Sequence, residues 1–107
     1  MTDLTQEILP LLHASFVKGD KVYFSKHTLI RMKERGVVTQ DIERIFKSGK
    51  IVKREPARIS SPLDFSQRLD KFYCQCYFDD TDTTWMIVVI FDHDTNRTKF
   101  VTIYQVD

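Results

Sequence analysis

Three side chains in the second quarter of the chain have types and spacing that suit phosphodiester chemistry. His27, Arg31 and Arg35 follow one another at intervals of four residues, and residues four apart lie along one side of an α-helix. An imidazole exchanges a proton near neutral pH, and a guanidinium binds a phosphate through two hydrogen bonds without titrating. The stripe therefore predicts a site that binds and processes a phosphodiester. The alternative is a solvated charged face, and Arg35 can equally pair with an acid at the helix junction.

The segment that holds this stripe predicts a short helix that begins after Ser25. Ser25 is a suitable N-cap, because its hydroxyl can accept a hydrogen bond from a free backbone N–H of the first turn. Gly36 suits the left-handed backbone that often follows a last helical turn. Leu29 and Met32 are predicted to anchor the helix in the core, on the side opposite the charged stripe.

Two more helices are predicted from the spacing of apolar residues. Residues 4–17 have helical periodicity, with Pro10 either kinking this helix or standing in its first turn. Thr39 is predicted to cap another helix, which ends near Gly49. Its buried stripe is expected to consist of Ile42, Ile45 and Phe46.

The last third of the chain predicts three β-strands, at 71–78, 85–91 and 100–106. Short loops between them predict an antiparallel meander. In the last strand Phe100, Thr102 and Tyr104 are predicted to share one face, and the opposite face would pack towards the helices. Shorter extended segments are expected near 21–24 and 51–54.

This order of elements predicts an α+β fold. The N-terminal helices would pack on one face of a twisted, mainly antiparallel sheet of four to five strands. Residues 1–107 are expected to form a single domain, with residues 1–18 as an N-terminal helical extension and residues 22–106 as its core.

Composition narrows the function classes. With 42% hydrophobic and 29% charged residues, the chain is typical of a globular protein, and no apolar run is long enough to cross a membrane. Residues 18–54 hold eleven Lys and Arg against four acids, a net charge of +7, which favours an anionic partner such as nucleic acid. Cys74 and Cys76 predict free thiols in a reducing cytoplasm, because a disulfide between them is geometrically poor.

The same residues resemble a known family. The pattern Ser25-x-His27-x-x-x-Arg31-x-x-x-Arg35-Gly36-Val37, with Asp41-Ile42 and Gly49-x-Ile51 after it and Thr102-x-Tyr104 near the end, is similar to a family of small bacterial domains of unassigned function. That family is placed among the RelE-like, barnase/EndoU/colicin-type ribonuclease folds. The resemblance covers about residues 22–106. It implies a RelE-like fold, RNA as the substrate, and a toxin–antitoxin or polymorphic-toxin setting, with an antitoxin protein as partner in the first case.

These expectations lead to a site hypothesis for metal-independent RNA cleavage, in which the 2′-hydroxyl attacks the adjacent phosphorus. His27 would act as general base or acid, Arg31 would bind the scissile phosphate, and Tyr104 would transfer a proton or orient the phosphate. Tyr73 or Tyr77 can stack an unpaired base, although both can equally be sheet-packing residues. Arg35 would help to hold the scissile phosphate, and Thr102 would donate a hydrogen bond. Lys21 and Lys26 would contact the substrate backbone outside the reaction centre, or they would simply face solvent.

Two other readings stay open from the sequence. One is a non-catalytic module of the same fold that binds RNA or a protein as a regulator. The other is an interaction domain that docks through its N-terminal helix. No cofactor and no metal are predicted, because Cys74-x-Cys76 and the histidines offer too few ligands at zinc spacing.

Overall fold

A computed structural model describes residues 4–18, 22–57 and 68–106 of the chain. Lys21, which the sequence suggests as a substrate contact, lies outside the described residues. The helices and strands within these ranges are α1 (Leu4–Lys18), β1 (Val22–Phe24), α2 (Lys26–Glu34), α3 (Thr39–Ser48), β2 (Lys50–Pro56), β3 (Leu69–Phe78), β4 (Thr83–Asp92) and β5 (Thr98–Val106).

The strands form one mixed five-stranded sheet in the order β1-β5-β4-β3-β2. The pairs β2–β3, β3–β4 and β4–β5 are antiparallel, whereas the short β1 pairs in parallel with β5. The predicted α+β class and the antiparallel meander are therefore confirmed. The parallel strand was not expected, because parallel neighbours are joined by a long crossover that sequence alone does not reveal.

The core lies between one face of the sheet and the helices. Every second residue of β3 is buried, from Phe72 to Phe78, as the pleat of a strand covered on one side requires. Leu12 of α1 and Ile45 of α3, each fully buried, belong to the same apolar cluster. We call this side of the sheet the core face and the opposite side the open face.

The helix boundaries agree with the sequence signals at Ser25 and Gly36 and differ at Thr39. The Ser25 hydroxyl accepts a hydrogen bond from the N–H of Thr28 at 3.1 Å, as an N-cap should. Gly36 has φ +67, the left-handed conformation expected after the last turn. The cap of α3 is Val38 rather than Thr39: the Asp41 carboxylate accepts a hydrogen bond from the Val38 N–H at 3.0 Å. The acid at the third helical position thus satisfies the N–H of the cap residue, whereas a cap hydroxyl would accept a hydrogen bond from an N–H of the first turn.

Gly49, between α3 and β2, is required by close packing. A Cβ atom there would lie 2.4 Å from the Ile45 carbonyl oxygen and 2.7 Å from the Gln75 carbonyl oxygen. The absence of a side chain thus lets the helix end directly against β3.

Two β-bulges change which side chains face the core. In β5 the register moves from Val89–Phe100 to Val88–Thr102, so that Val101 is an extra residue. Consequently Phe100 and Ile103 are both buried on the core face, although they are three residues apart. The prediction that Phe100 shares a face with Thr102 and Tyr104 is wrong for this reason.

A second bulge lies in β2, where the register shifts between Ile51 and Lys53. It places Lys53 opposite Tyr73 on the open face. The first helix, α1, includes Pro10 within its span, so this residue does not begin the helix. No helix in the described ranges is long and apolar enough to span a membrane.

Candidate functional site

Helix α2 is fastened to the edge of β5 by polar side chains. The Thr28 hydroxyl, only 1% exposed, lies 3.0 Å from the carbonyl oxygens of both Phe100 and Val101. Further along, the Arg35 guanidinium donates a hydrogen bond to the Ile103 carbonyl. Strand β1 pairs with residues 98–100 of β5. These side chains therefore bind carbonyls at the end of that pairing, at Phe100, and beyond it, at Val101 and Ile103.

The buried side of α2 is only partly the predicted one. Met32 is 8% exposed and belongs to the core, but Leu29 is 52% exposed. Thr28 is the buried residue in place of Leu29. Leu29 was predicted to be buried because it is apolar. The side of α2 that meets the edge of β5 needs a hydrogen-bond donor for the strand carbonyls, which threonine has and leucine lacks.

Helical geometry places His27 and Arg31 together on one flank of α2. They lie about 140° and about 100° around the helix axis from Met32. Met32 points to the core and Thr28 to the β5 edge. The flank beyond that edge, with His27 and Arg31, therefore borders the open face of the sheet.

The three residues of the predicted stripe have different surroundings. His27 is exposed. Arg31 forms an ion pair with Glu34 at 3.5 Å, and Arg35 is engaged with the β5 backbone. Each four-residue step advances about 40° around the helix, which turns the stripe from solvent at His27 towards the sheet at Arg35. A role for Arg35 in binding substrate stays a prediction, and so does the role of the exposed Lys26.

Tyr104 and Thr102 lie on the open face and are half-buried. Their strand partners are Met86 and Val88 of β4. Within the described residues, no hydrogen bond or ion pair joins His27 to Tyr104 or to Arg31. The described structure therefore shows no direct contact between these groups, and their joint role stays a prediction.

The open face has four cross-strand rows within the described residues: Tyr77–Thr84–Val106 at one end, and three rows around Tyr73. Register fixes each row, because partners on neighbouring strands project to the same side. The three rows around Tyr73 run Lys53–Tyr73–Val88–Thr102, then Lys50–Gln75–Met86–Tyr104, then Glu55–Lys71–Ile90–Lys99. The described residues of these rows thus include four lysines and one carboxylate.

Tyr73 is the centre of this face. The ammonium groups of Lys53 and Lys71 lie 5.3 Å and 5.7 Å from its ring centroid. A hydrogen bond from its hydroxyl to Glu55 raises the pKa of Tyr73, and burial and nearby Tyr104 act in the same direction. The same hydrogen bond lowers the pKa of Glu55. Tyr73 is therefore held in place by Lys53 and Glu55 of β2 and by Lys71 of its own strand.

Tyr77, the other tyrosine considered for base stacking, has a different environment. It is 56% exposed, and its hydroxyl donates a hydrogen bond to Asp82 at 2.7 Å. That hydrogen bond raises the pKa of Tyr77. Asp79, Asp80 and Asp82 make this end of the sheet acidic, so Tyr77 is poorly placed beside a polyanion.

The structure also contains a polar cluster that sequence reasoning missed. One carboxylate oxygen of Asp70 lies 2.7 Å from His93 Nε2 and 2.8 Å from Arg54 Nη2. Partial burial would raise the pKa of Asp70, but these two hydrogen bonds outweigh it and hold the pKa below its usual value. The cluster borders a cavity of about 410 Å³. No sequence signal links these residues, because they come from three elements joined only by strand pairing.

The cysteines are structural. Cys74 and Cys76 are free thiols in the core cluster, and burial raises the pKa of Cys74 to about 12. In the described part of the chain, no group of three or more His, Cys, Asp or Glu side chains is arranged to hold a metal ion.

Comparison with known proteins gives one match. Residues 24–105 match DUF4258, described as a domain of unknown function, and the chain therefore belongs to this family. Helix α1 lies outside the matched residues, although Ile8, Leu9 and Leu12 contribute to the core. No curated protein and no solved structure matches the chain.

Proposed function

We propose that this member of the DUF4258 family is a metal-independent endoribonuclease with a RelE-like arrangement of its active site. One observation supports this most directly: α2 is fastened edge-on to β5, so that His27 and Arg31 border the open face on which Tyr104 lies. An imidazole, a guanidinium and a phenol beside a lysine-rich surface are sufficient for cleavage by an internal 2′-hydroxyl.

In this mechanism His27 accepts the proton of the 2′-hydroxyl as that oxygen attacks the adjacent phosphorus. Arg31 leaves its ion pair with Glu34 to bind the phosphoryl oxygens through two hydrogen bonds. This exchange is inexpensive, because an exposed ion pair contributes only about 0–1 kcal/mol. Tyr104 donates a proton to the leaving 5′-oxygen, and Thr102 donates a hydrogen bond to the substrate. Arg35 holds α2 in register with β5.

The cleavage assay uses purified protein and a labelled single-stranded RNA in EDTA. We expect cleavage by the wild type and a fall of about 10²- to 10⁴-fold for His27→Ala, which is the usual contribution of a general acid or base. Lys33→Ala is the matched control, because Lys33 is exposed on α2 about 120° around the axis from His27. Intact RNA at high wild-type concentration would refute the enzyme. Identical rates for the wild type and His27→Ala would refute the assignment of His27.

A non-catalytic RNA- or protein-binding module is the second candidate. The observation that favours it is the engagement of the two guanidiniums of the stripe by Glu34 and by the Ile103 carbonyl. A regulatory module would bind RNA or a protein without cleaving RNA. Binding unchanged by His27→Gln, together with no cleavage by the wild type, would support this second candidate.

The toxin–antitoxin setting is part of the first proposal. Leu29 and Ile30 are 52% and 46% exposed on α2. An antitoxin that covered these side chains would lie beside His27 and exclude RNA. Loss of cleavage on adding the product of a neighbouring gene, with recovery in Leu29→Ser, is the expected result.

A further inference from the structure

We propose that the open face of the sheet binds a single-stranded polynucleotide, with one base stacked on Tyr73, and that it binds DNA as well as RNA. This inference rests on the proposed function, since it defines which nucleic acids reach the same site. It is carried by the charge of the face, by the row geometry and by the ring contacts of Tyr73.

The charge of the face is complementary to a polyanion. Its described rows hold Lys50, Lys53, Lys71 and Lys99 against Glu55 alone. Glu55 lies 3.5 Å from the ammonium of Lys53 and accepts a hydrogen bond from Tyr73. The carboxylate is therefore engaged by the face itself and opposes a phosphate only weakly.

The lysines are also spaced for a chain of phosphates. Lys53 is on β2, Lys71 on β3 and Lys99 on β5. With strands about 4.8 Å apart, the distance across the sheet from β2 to β5 is about 14 Å. This length accommodates a few consecutive nucleotides and leads from Lys53 towards α2, where His27 and Arg31 lie.

Tyr73 supplies the stacking surface in the middle of this path. Lys53 and Lys71 contact its ring, and a cation–π contact at an exposed site is weak. A stacked base is held more strongly than a single ammonium group, and the displaced ammonium groups gain phosphate partners. The exchange therefore favours the polynucleotide.

The same contacts favour single strands over duplexes and do not distinguish RNA from DNA. A base can stack on a side chain only when it is unpaired, and in a duplex both faces of the base are covered. Phosphate contacts and stacking do not involve the 2′-hydroxyl. Single-stranded DNA should consequently occupy the face without being cleaved and should inhibit RNA cleavage by competition.

The binding test measures fluorescence anisotropy of a labelled 12-mer oligo-dT with the full chain. Tyr73→Leu is expected to weaken binding about five- to 150-fold, and Tyr73→Phe by less than about twofold, because the stacking surface is retained. Lys53→Gln/Lys71→Gln is expected to weaken binding and to reduce the slope of log K against log salt by about 1.4. Duplex DNA of equal length should bind at least about tenfold more weakly.

The matched control is Lys33→Gln/Lys47→Gln, which removes two exposed lysines from the helices. It should bind oligo-dT like the wild type. Equal weakening in both lysine pairs, unchanged binding by Tyr73→Leu, or tighter binding of duplex would overturn the inference. The inference would also be overturned if polyglutamate displaced oligo-dT and if oligo-dT binding did not change in Tyr73→Leu. That result would indicate a site for an acidic protein.

The two proposals fail separately. Oligo-dT binding that depends on Tyr73, with no RNA cleavage by the wild type, supports the binding face and refutes the nuclease. RNA cleavage with an unchanged KM in Tyr73→Leu and in Lys53→Gln/Lys71→Gln refutes the binding face and leaves the nuclease standing. If Tyr73→Leu does not fold, as judged by circular dichroism, oligo-dT binding by Lys53→Gln/Lys71→Gln and by its control Lys33→Gln/Lys47→Gln still tests the binding face.

Discussion

Replacing Thr28 by valine tests whether α2 is held by its polar contacts with β5. Valine has nearly the same shape, so no cavity forms, but the hydroxyl that lies 3.0 Å from the carbonyls of Phe100 and Val101 is lost. Phe100 is fully buried, and leaving such a carbonyl without a donor destabilises a protein by about 1–3 kcal/mol. For 107 residues, with an unfolding entropy of about 2.1 cal/mol/K per residue, that corresponds to a fall in Tm of about 4–13 °C.

The assay is urea unfolding followed by circular dichroism. We expect a lower midpoint with an unchanged m-value, because the surface exposed on unfolding stays the same. Thr28→Ser retains the hydroxyl and should recover most of the loss. Thr39→Val removes an exposed hydroxyl at the start of α3 and should change stability by less than about 0.5 kcal/mol. A midpoint for Thr28→Val equal to that of the wild type would show that these contacts do not hold the helix.

Two further predictions concern other elements of the fold. Asp70→Asn weakens the hydrogen bonds with His93 and Arg54 and should destabilise the protein by about 1–3 kcal/mol at pH 7. Because the pKa of Asp70 is lowered in the folded state, its contribution is present above about pH 4 and is lost as the pH falls through the folded pKa. Urea unfolding at pH 7 and pH 3 checks this, and an equal difference at both values contradicts it. Gly49→Ala places a Cβ atom 2.4–2.7 Å from carbonyl oxygens of α3 and β3, so we expect a loss of about 1–3 kcal/mol in the same assay.

Much of the fold was predictable because its signals are local. The apolar stripe of α3, the cap at Ser25 and the left-handed Gly36 depend on residues a few positions apart. The strands β3, β4 and β5 were predictable from β-prone runs between turn-forming segments. Each of these features depends mainly on residues that are close in sequence.

The remaining features depend on distant pairing. The bulge at Val101 forms because β4 and β5 pair on both sides of an extra residue. The alternation of apolar and polar residues within β5 alone does not reveal that pairing. Thr28 replaced Leu29 on the buried side because a strand edge lies there. The Asp70–His93 cluster depends on which strand ends are neighbours. For the candidate site, sequence spacing identified the α2 side chains, but only the register revealed the lysine rows around Tyr73.

The extra residue at Val101 has a consequence for comparing members of the DUF4258 family. Counting alternate residues along the whole of β5 assigns Thr102 and Tyr104 to the wrong layer, so the count has to restart after Val101. A relative that is one residue shorter at this point would form a regular strand and would still direct the equivalents of Thr102 and Tyr104 outwards. A deletion at Val101 can therefore leave Thr102 and Tyr104 on the open face. A sequence alignment that avoids a gap at this position would pair these two residues with the wrong residues of the relative.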